Sequence, residues 1–253
     1  MNVYHYTNIN AILGIIQEEG LCFRASFFKK FKGEDYDIIQ PEGYKVIRDL
    51  CNQKGYDFQK DNDIFQPCIV SFCTNGQSDY MWKNYADCFC GGKLILDAEI
   101  LKRHAEANRY ENSDCFHECE YISKVNLQSE IKHYIAKNEA QIPGTGDYQN
   151  DLVSILGLLK VQEYKQEEEY RYIRPYKILA TAEYDETKEH NCNINLHPEP
   201  LKTKYYEEIH FPKEALVGVE LGTNSRMNDY ELLRSHLTKL GYEINDRILS
   251  VNA

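Results

Sequence analysis

Three short segments combine strand-forming residues with polar side chains, and they constrain the folds open to this chain more than any other feature. They are Tyr4–Thr7, Ser71–Thr74 and Glu167–Arg171. Each segment predicts a strand or the end of a strand. Because successive side chains of a strand point to opposite faces, each segment presents polar groups on one face. The sequence therefore predicts a sheet that borders a polar cleft.

The rest of the chain alternates between strand and helix patterns. Residues 2–6 and Leu21–Ala25 predict strands on either side of a short helix, which Asn8 caps and Gly20 ends. The 253 residues show no repeat and no convincing linker. We therefore predict one α+β domain over residues 1–253, with mixed, mostly antiparallel sheets and flanking helices.

Residues 27–66 form a long polar, charged and aromatic stretch in which the sequence predicts one short helix, at Tyr44–Cys51. A stretch of this length beside a cleft is typical of a lid or an insertion. It contains a basic cluster interleaved with phenylalanines, at Lys29, Lys30 and Lys32. The cluster either contacts a phosphate or a base, or belongs to a solvated loop.

Composition restricts the partners and the compartment. The net charge of −11 disfavours nonspecific binding to nucleic acid or to an anionic membrane. No apolar run is long enough to span a membrane, and the first residues lack a secretory signal pattern, so we expect a cytoplasmic protein. The nine cysteines are an odd number and are interpreted as reduced thiols.

The glutamate-rich segment carries the strongest candidate chemistry. On a strand, Glu167, Glu169 and Arg171 share one face. Two carboxylates and a guanidinium cannot lie in an apolar core without partners, so they face either solvent or a polar cleft. In a cleft, Arg171 can hold one carboxylate, which leaves the other to stabilise a developing cation or to bind a hydroxyl.

His5 and a group of aromatic residues have two interpretations each. His5 is either a core histidine or a hydrogen-bond donor to a ligand, and Thr7 either supports it or helps to cap the helix. Tyr80, Trp82 and Tyr85 follow the Ser71 strand at helical spacing. They are either core residues or a stacking platform for a flat heterocycle.

These motifs together resemble an uncharacterised bacterial and phage domain family of unknown function. That family looks like a divergent branch of the ADP-ribosyltransferase superfamily. The resemblance spans nearly the whole chain. The sequence departs from the family pattern after Arg24–Ser26, where the family's usual Asn-Asp-Pro turn is missing. The matching segments are Tyr4–Thr7, Ser71–Phe72, Trp82–Ala86, Glu167–Arg171 and the ending Leu216–Gly222.

The resemblance implies an ADP-ribosyltransferase-like fold and NAD as substrate. By this similarity His5 contacts the ribose, Tyr85 or Tyr80 stacks on nicotinamide, and Glu169 is catalytic, with Glu167 as the alternative. The binding residues implied with His5 are Tyr6, Thr7, Ser71 and Arg171. The reaction is cleavage of the nicotinamide–ribose bond and transfer of ADP-ribose to a macromolecular acceptor, either protein or nucleic acid. The resemblance leaves open a toxin or phage-defence role and an antitoxin partner.

Three alternatives stay open beside this interpretation. One alternative is a non-catalytic ligand- or protein-binding module of the same fold. Another is an enzyme in which a cysteine acts as the nucleophile with a histidine partner. A third alternative is a zinc site, although the transferase chemistry needs no metal and we expect none. The ligands for such a zinc site would be Cys88, Cys90, Cys115, His117 and Cys119.

Overall fold

The fold is described from a computed structural model, which covers residues 1–27, 35–55, 65–112, 114–138, 148–177, 206–243, 245 and 248–251. The helices are α1 (Ile9–Ile15), α2 (Asp35–Gln53), α3 (Asp79–Tyr85), α4 (Ala98–Asn112), α5 (Leu127–Asn138), α6 (Tyr148–Gly157) and α7 (Met227–Lys239). The strands are β1 (Asn2–Thr7), β2 (Ile16–Gln17), β3 (Gly20–Phe27), β4 (Phe65–Cys73), β5 (Gly92–Asp97), β6 (Cys115–Glu118), β7 (Glu120–Ile122), β8 (Leu159–Val161), β9 (Glu169–Lys177), β10 (Tyr206–Phe211), β11 (Leu216–Leu221) and β12 (Leu249–Val251).

The described strands form a large, mostly antiparallel sheet and a small parallel pair. The main path of the sheet runs β10-β3-β4-β1-β5-β11-β12, with β2 beside β3 and with β9 and β6 attached through β4. The parallel pairings are β11 with β12 and β7 with β8. The prediction of an α+β chain with a mostly antiparallel sheet and flanking helices is confirmed. No helix in the described ranges is both long and apolar enough to cross a membrane.

Strand β4 is a branch point of the sheet. One of its edges pairs with β9 along its whole length, from Phe65 to Cys73. The other edge is shared, because β3 pairs at Cys68 and Ile69 whereas β1 pairs only at Cys73. Strands β1 and β3 therefore diverge from β4, and an opening forms beside Ser71.

The two largest hydrophobic clusters hold most of the elements together. The larger one lies between the main sheet and helices α1, α4 and α7, with fully buried residues such as Ile12, Leu101 and Leu233. The second joins α2, α5 and α6 to β7 and β8, through residues such as Ile47 and Leu152. Burial of such side chains stabilises each contact by about 1.5–3 kcal/mol per residue.

The segment 27–66, predicted as a lid or an insertion, contains the last residue of β3, the first residues of β4 and helix α2. This helix is longer than the predicted Tyr44–Cys51, because the buried Ile39 extends its apolar side by two turns. Pro41 lies near its start, within the helix. The basic cluster at Lys29, Lys30 and Lys32 lies outside the described residues.

The strand predicted at Glu167–Arg171 was wrong at its beginning. Glu167 ends a 3-10 turn at Gln162–Glu167, and β9 begins only at Glu169. The intervening Glu168 has left-handed backbone angles, φ 43° and ψ 54°, which end the turn. Local composition could not reveal this, because a left-handed conformation is uncommon for a residue other than glycine.

Candidate functional site

A cavity with a volume of about 530 Å³ occupies the opening where β1 and β3 diverge. Its walls come mainly from β1, β3, β4, β9 and helix α1, with single residues from β2, β8 and β10, Glu167, and Met81 and Tyr85 of α3. This volume lies within the range of small-molecule and cofactor sites. The irregular pairing of β4 thus provides a ligand-sized space within an otherwise continuous sheet.

Most of the residues predicted for the site line this cavity. Tyr80 does not, although its ring lies 6.5 Å from the ring of Tyr85. Of the two tyrosines proposed to stack on a heterocycle, only Tyr85 therefore meets the cavity. The predicted residues that line it are His5, Tyr6, Thr7, Ser71, Tyr85, Glu167, Glu169 and Arg171.

Tyr6 has a structural role beside the cavity. Its hydroxyl donates to the Asn75 carbonyl at 3.0 Å, and its ring packs edge-on against Trp82 at 5.1 Å. Burial is the main cause of a raised Tyr6 pKa, so the phenol stays protonated. The core interpretation of Trp82 agrees with this packing, because the Trp82 side chain is only 1% exposed.

The His5 side chain lies in the opening and forms a hydrogen bond to β4 at a point where the backbones of β1 and β4 are not paired. Its Nδ1 lies 2.9 Å from the Ser71 carbonyl oxygen, which can only accept, so Nδ1 carries the proton. Burial lowers the pKa of His5 and outweighs the hydrogen bond to Ser71, which raises it, so the ring is neutral at physiological pH. The remaining Nε2 atom is therefore left as a hydrogen-bond acceptor, the opposite of the donor role expected for His5.

Glu169 is held by two cations. Its Oε1 accepts from Arg171 Nε at 2.8 Å, and its Oε2 accepts from Lys160 Nζ at 2.5 Å. Burial alone would raise the pKa of Glu169, but the charges and hydrogen bonds of Arg171 and Lys160 outweigh it and lower the pKa to about 2. Glu169 is therefore ionised at neutral pH although it is 3% exposed.

Glu167 joins the same group of charges from the 3-10 turn. Its Oε1 accepts from the Tyr85 hydroxyl at 2.8 Å, and its Oε2 contacts Lys160 Nζ. Lys160 thus bridges both carboxylates. We call Lys160, Glu167, Glu169 and Arg171 the cavity network; its two positive and two negative groups balance.

The backbone fixes the cavity network in place. Arg171 pairs with Ser71 and Glu169 pairs with Cys73 across the β4–β9 ladder, so these side chains share the cavity face. Arg171 Nη1 also donates to the Gly157 carbonyl at 2.7 Å. The guanidinium is therefore held from both sides and cannot rotate away from Glu169 without losing these bonds.

Sequence reasoning missed two cations of the cavity. Lys160 is the single charged residue in the run Leu158–Val161, and a lone charge in a buried apolar segment is a usable signal for a paired, buried group. Arg24 lies on the same face of β3 as Cys22 and Ser26, and all three line the cavity. The Arg24 guanidinium lies 4.6 Å from the centre of the Tyr206 ring. The polar alternation of β3 also could have indicated a cavity face.

The zinc site considered from the sequence does not assemble. Among the described residues, the ligand atoms of Cys88, Cys90, Cys115, His117 and Cys119 do not form a group of three or more within reach of one ion. Cys88 and Cys90 are exposed in the turn after α3, whereas Cys119 is buried. A different trio does converge, formed by Cys22, Glu208 and His210.

One comparison with known proteins gives a match. A family model described as "Protein of unknown function (DUF2971)" matches residues 81–172. This range includes Tyr85 and the whole cavity network, whereas His5 and Ser71 lie outside it. The description of the family states no activity. No curated protein and no solved structure matches the chain.

Proposed function

We propose that the protein is an NAD-dependent ADP-ribosyltransferase with an ADP-ribosyltransferase-like fold. It would cleave the bond between nicotinamide and ribose and transfer ADP-ribose to a macromolecular acceptor. One observation carries this proposal: His5, Tyr85 and the two carboxylates come from three distant segments and meet in one cavity. The resemblance of the sequence motifs supports the same chemistry.

The ionised Glu169 is suited to the bond-breaking step. When the glycosidic bond breaks, its electron pair goes to the pyridinium nitrogen, nicotinamide leaves as a neutral molecule, and the ribose gains oxocarbenium character. A fixed carboxylate close to the ribose stabilises this positive charge. Arg171 and Lys160 keep Glu169 charged and oriented before the substrate arrives.

Glu167 and Tyr85 are suited to the second step. Tyr85 is 42% exposed and donates to Glu167, which is 4% exposed and lines the cavity, so an incoming acceptor would reach Glu167 through the cavity beside Tyr85. Glu167 would orient the acceptor nucleophile and take its proton as the new bond to the ribose forms. The face of the Tyr85 ring would stack on nicotinamide.

The other end of the cavity would bind the remainder of NAD. The neutral Nε2 of His5 would accept a hydrogen bond from a ribose hydroxyl. The cavity network has no net charge, so the negative pyrophosphate needs another cation. Arg24 lines the cavity and would supply it.

A non-catalytic binding module is the second candidate, and one observation favours it. All four carboxylate oxygens of Glu167 and Glu169 already accept a hydrogen bond from Tyr85, Lys160 or Arg171. A carboxylate satisfied in this way can serve as a rigid wall of a ligand site. Such a module would bind its ligand without turnover.

Nicotinamide release from NAD tests the proposal. The purified protein is assayed alone and with cell lysate, beside Glu169→Gln, Glu167→Gln and the exposed neighbour Glu168→Gln as a matched control. We expect Glu169→Gln to lower release by about 100-fold or more, whereas Glu168→Gln retains it. Thermal unfolding of each variant separates lost chemistry from lost fold.

The outcomes separate the two candidates. Labelled NAD added to lysate would identify the acceptor class, and co-purification would identify an antitoxin, if the toxin role holds. NAD binding in calorimetry without nicotinamide release would support the binding module. Neither binding nor release would contradict the transferase proposal.

A further inference from the structure

A second group of polar residues lies on the cavity face of the β3–β10 ladder. Cys22 pairs directly with His210, and Glu208 is two residues away on β10, so all three side chains share one face. Cys22 Sγ lies 3.9 Å from His210 Nε2, which in turn lies 4.0 Å from Glu208 Oε2. The three ligand atoms all lie within 4.8 Å of one another.

We propose that Cys22, Glu208 and His210 bind a divalent transition-metal ion, with zinc as the preferred metal. A thiolate, an imidazole and a carboxylate are the ligand types that zinc takes in proteins. The thiolate disfavours magnesium and calcium, which select oxygen ligands. This site shares no residue with the zinc site considered from the sequence.

The distances fit a tetrahedral ion after a small contraction. With metal–ligand bonds of about 2.0–2.3 Å, tetrahedral geometry separates the ligand atoms by about 3.3–3.6 Å. The separations of 3.9 Å and 4.0 Å exceed this by about half an ångström, and the third, between Cys22 and Glu208, is within 4.8 Å and exceeds it by at most about 1.5 Å. Rotation of the Glu208 and His210 side chains can supply the difference, because both lie at least partly in contact with solvent.

The surroundings leave one coordination position open. Three protein ligands with a fourth position for water or substrate are typical of catalytic zinc, whereas structural sites have four protein ligands. Cys22 and Glu208 line the cavity, so the fourth position would face it. The His210 side chain is 64% exposed, which gives the ion a path from solvent.

Metal binding has a defined proton balance and does not depend on the proposed NAD chemistry. The Cys22 thiol loses its proton to water as its sulphur binds the ion, and His210 binds through the Nε2 lone pair. The ion would add positive charge beside Arg24, which pairs with Glu208 in the ladder. The Cys22 thiolate and the Glu208 carboxylate would neutralise the two charges of the ion, so an anionic group in the cavity would meet the Arg24 guanidinium and the open coordination position of the metal.

The test measures metal binding in the absence of NAD. The full-length protein is stripped with a chelator and titrated with Zn²⁺ against a chromophoric competitor, and separately with Co²⁺. We expect one equivalent per chain and a thiolate-to-cobalt charge-transfer band. Cys22→Ser should remove that band, and His210→Ala should weaken Zn²⁺ binding by roughly tenfold or more, since loss of a direct ligand should cost at least as much as loss of its support.

Controls make the assignment specific. Cys88→Ser and Cys90→Ser remove exposed thiols away from the trio and should bind the metal as the wild type does. Cys22 is buried, so its variant is checked for folding, and the exposed His210 supplies a variant that leaves the core intact. Absence of stoichiometric binding, or binding that both Cys22→Ser and His210→Ala retain, would overturn the proposal.

Discussion

Strand β9 carries a buried charged network on each of its faces, and the two differ in charge balance. On one face lies the cavity network, where two carboxylates meet two cations. On the other face Arg174 donates to both oxygens of Asp114, at 2.8 Å and 2.6 Å, and to Glu207 at 2.9 Å. Tyr172 adds a hydrogen bond to Asp114 at 2.6 Å. We call Asp114, Tyr172, Arg174 and Glu207 the core network.

The pKa values of the glutamates follow this difference. In the cavity network two cations overcome burial and lower the pKa of Glu169 to about 2. In the core network burial raises the pKa of Glu207. The opposing effect of Arg174, a single cation that two carboxylates share, is too small to outweigh it. Burial of charge alone therefore does not identify a site. The balanced network borders a cavity, and none of the residues of the core network lines it.

Removal of Arg174 should have the largest effect on stability. Arg174→Ala leaves Asp114 and Glu207 buried without their cation, which should lower the free energy of unfolding by about 3–5 kcal/mol. Urea denaturation measures the change. The exposed Arg234→Ala is the matched control and should change stability by less than about 0.5 kcal/mol. Equal stability of the two variants would mean that the core network is not structural.

Lower pH should destabilise the protein through Glu169. Its pKa is lowered from 4.5 to about 2 in the folded state, so the unfolded chain binds the proton more tightly. The stabilisation is fully present above about pH 5 and is lost as the pH falls towards 2, and it corresponds to about 3 kcal/mol. Urea denaturation from pH 6 to 2 should show this fall in wild type and a smaller one in Glu169→Gln. Identical profiles would contradict the ionised state of Glu169.

Glu207 should have a smaller effect of opposite sign. Its pKa is raised above 4.5, so the folded state binds the proton more tightly than the unfolded chain. The stabilisation is present below pH 4.5 and is lost as the pH rises through the folded pKa. We compare wild type and Glu207→Gln by denaturation from pH 4 to 8. As the pH rises, the wild type should lose stability relative to the variant. A relative gain would contradict the raised pKa of Glu207 and with it the difference between the two networks.

The sequence predicts the polar strands and eight of the residues that line the cavity, because alternation and motif are local properties. The opening itself is not local, because it depends on β1 and β3 sharing one edge of β4. His5 and Ser71 meet across 66 residues, so no window of sequence reveals that Nδ1 is already occupied. Lys160 was missed for a different reason: its partners Glu167 and Glu169 lie only seven and nine residues further on, but the 3-10 turn that brings them back to Lys160 was not predicted.

The β4–β9 ladder also bears on how the chain folds. Its nine consecutive pairs hold the odd-numbered residues Glu169 and Arg171 towards the cavity, and the even-numbered Tyr172 and Arg174 towards the core. Misalignment by one residue would exchange the two sets, and it would turn Glu169 away from Lys160 and Arg174 away from Asp114 and Glu207. Each misaligned chain would then contain unpaired buried ions and would be strongly disfavoured. The two networks therefore favour the native register of β9 against β4 over its neighbours, whatever reaction the cavity supports.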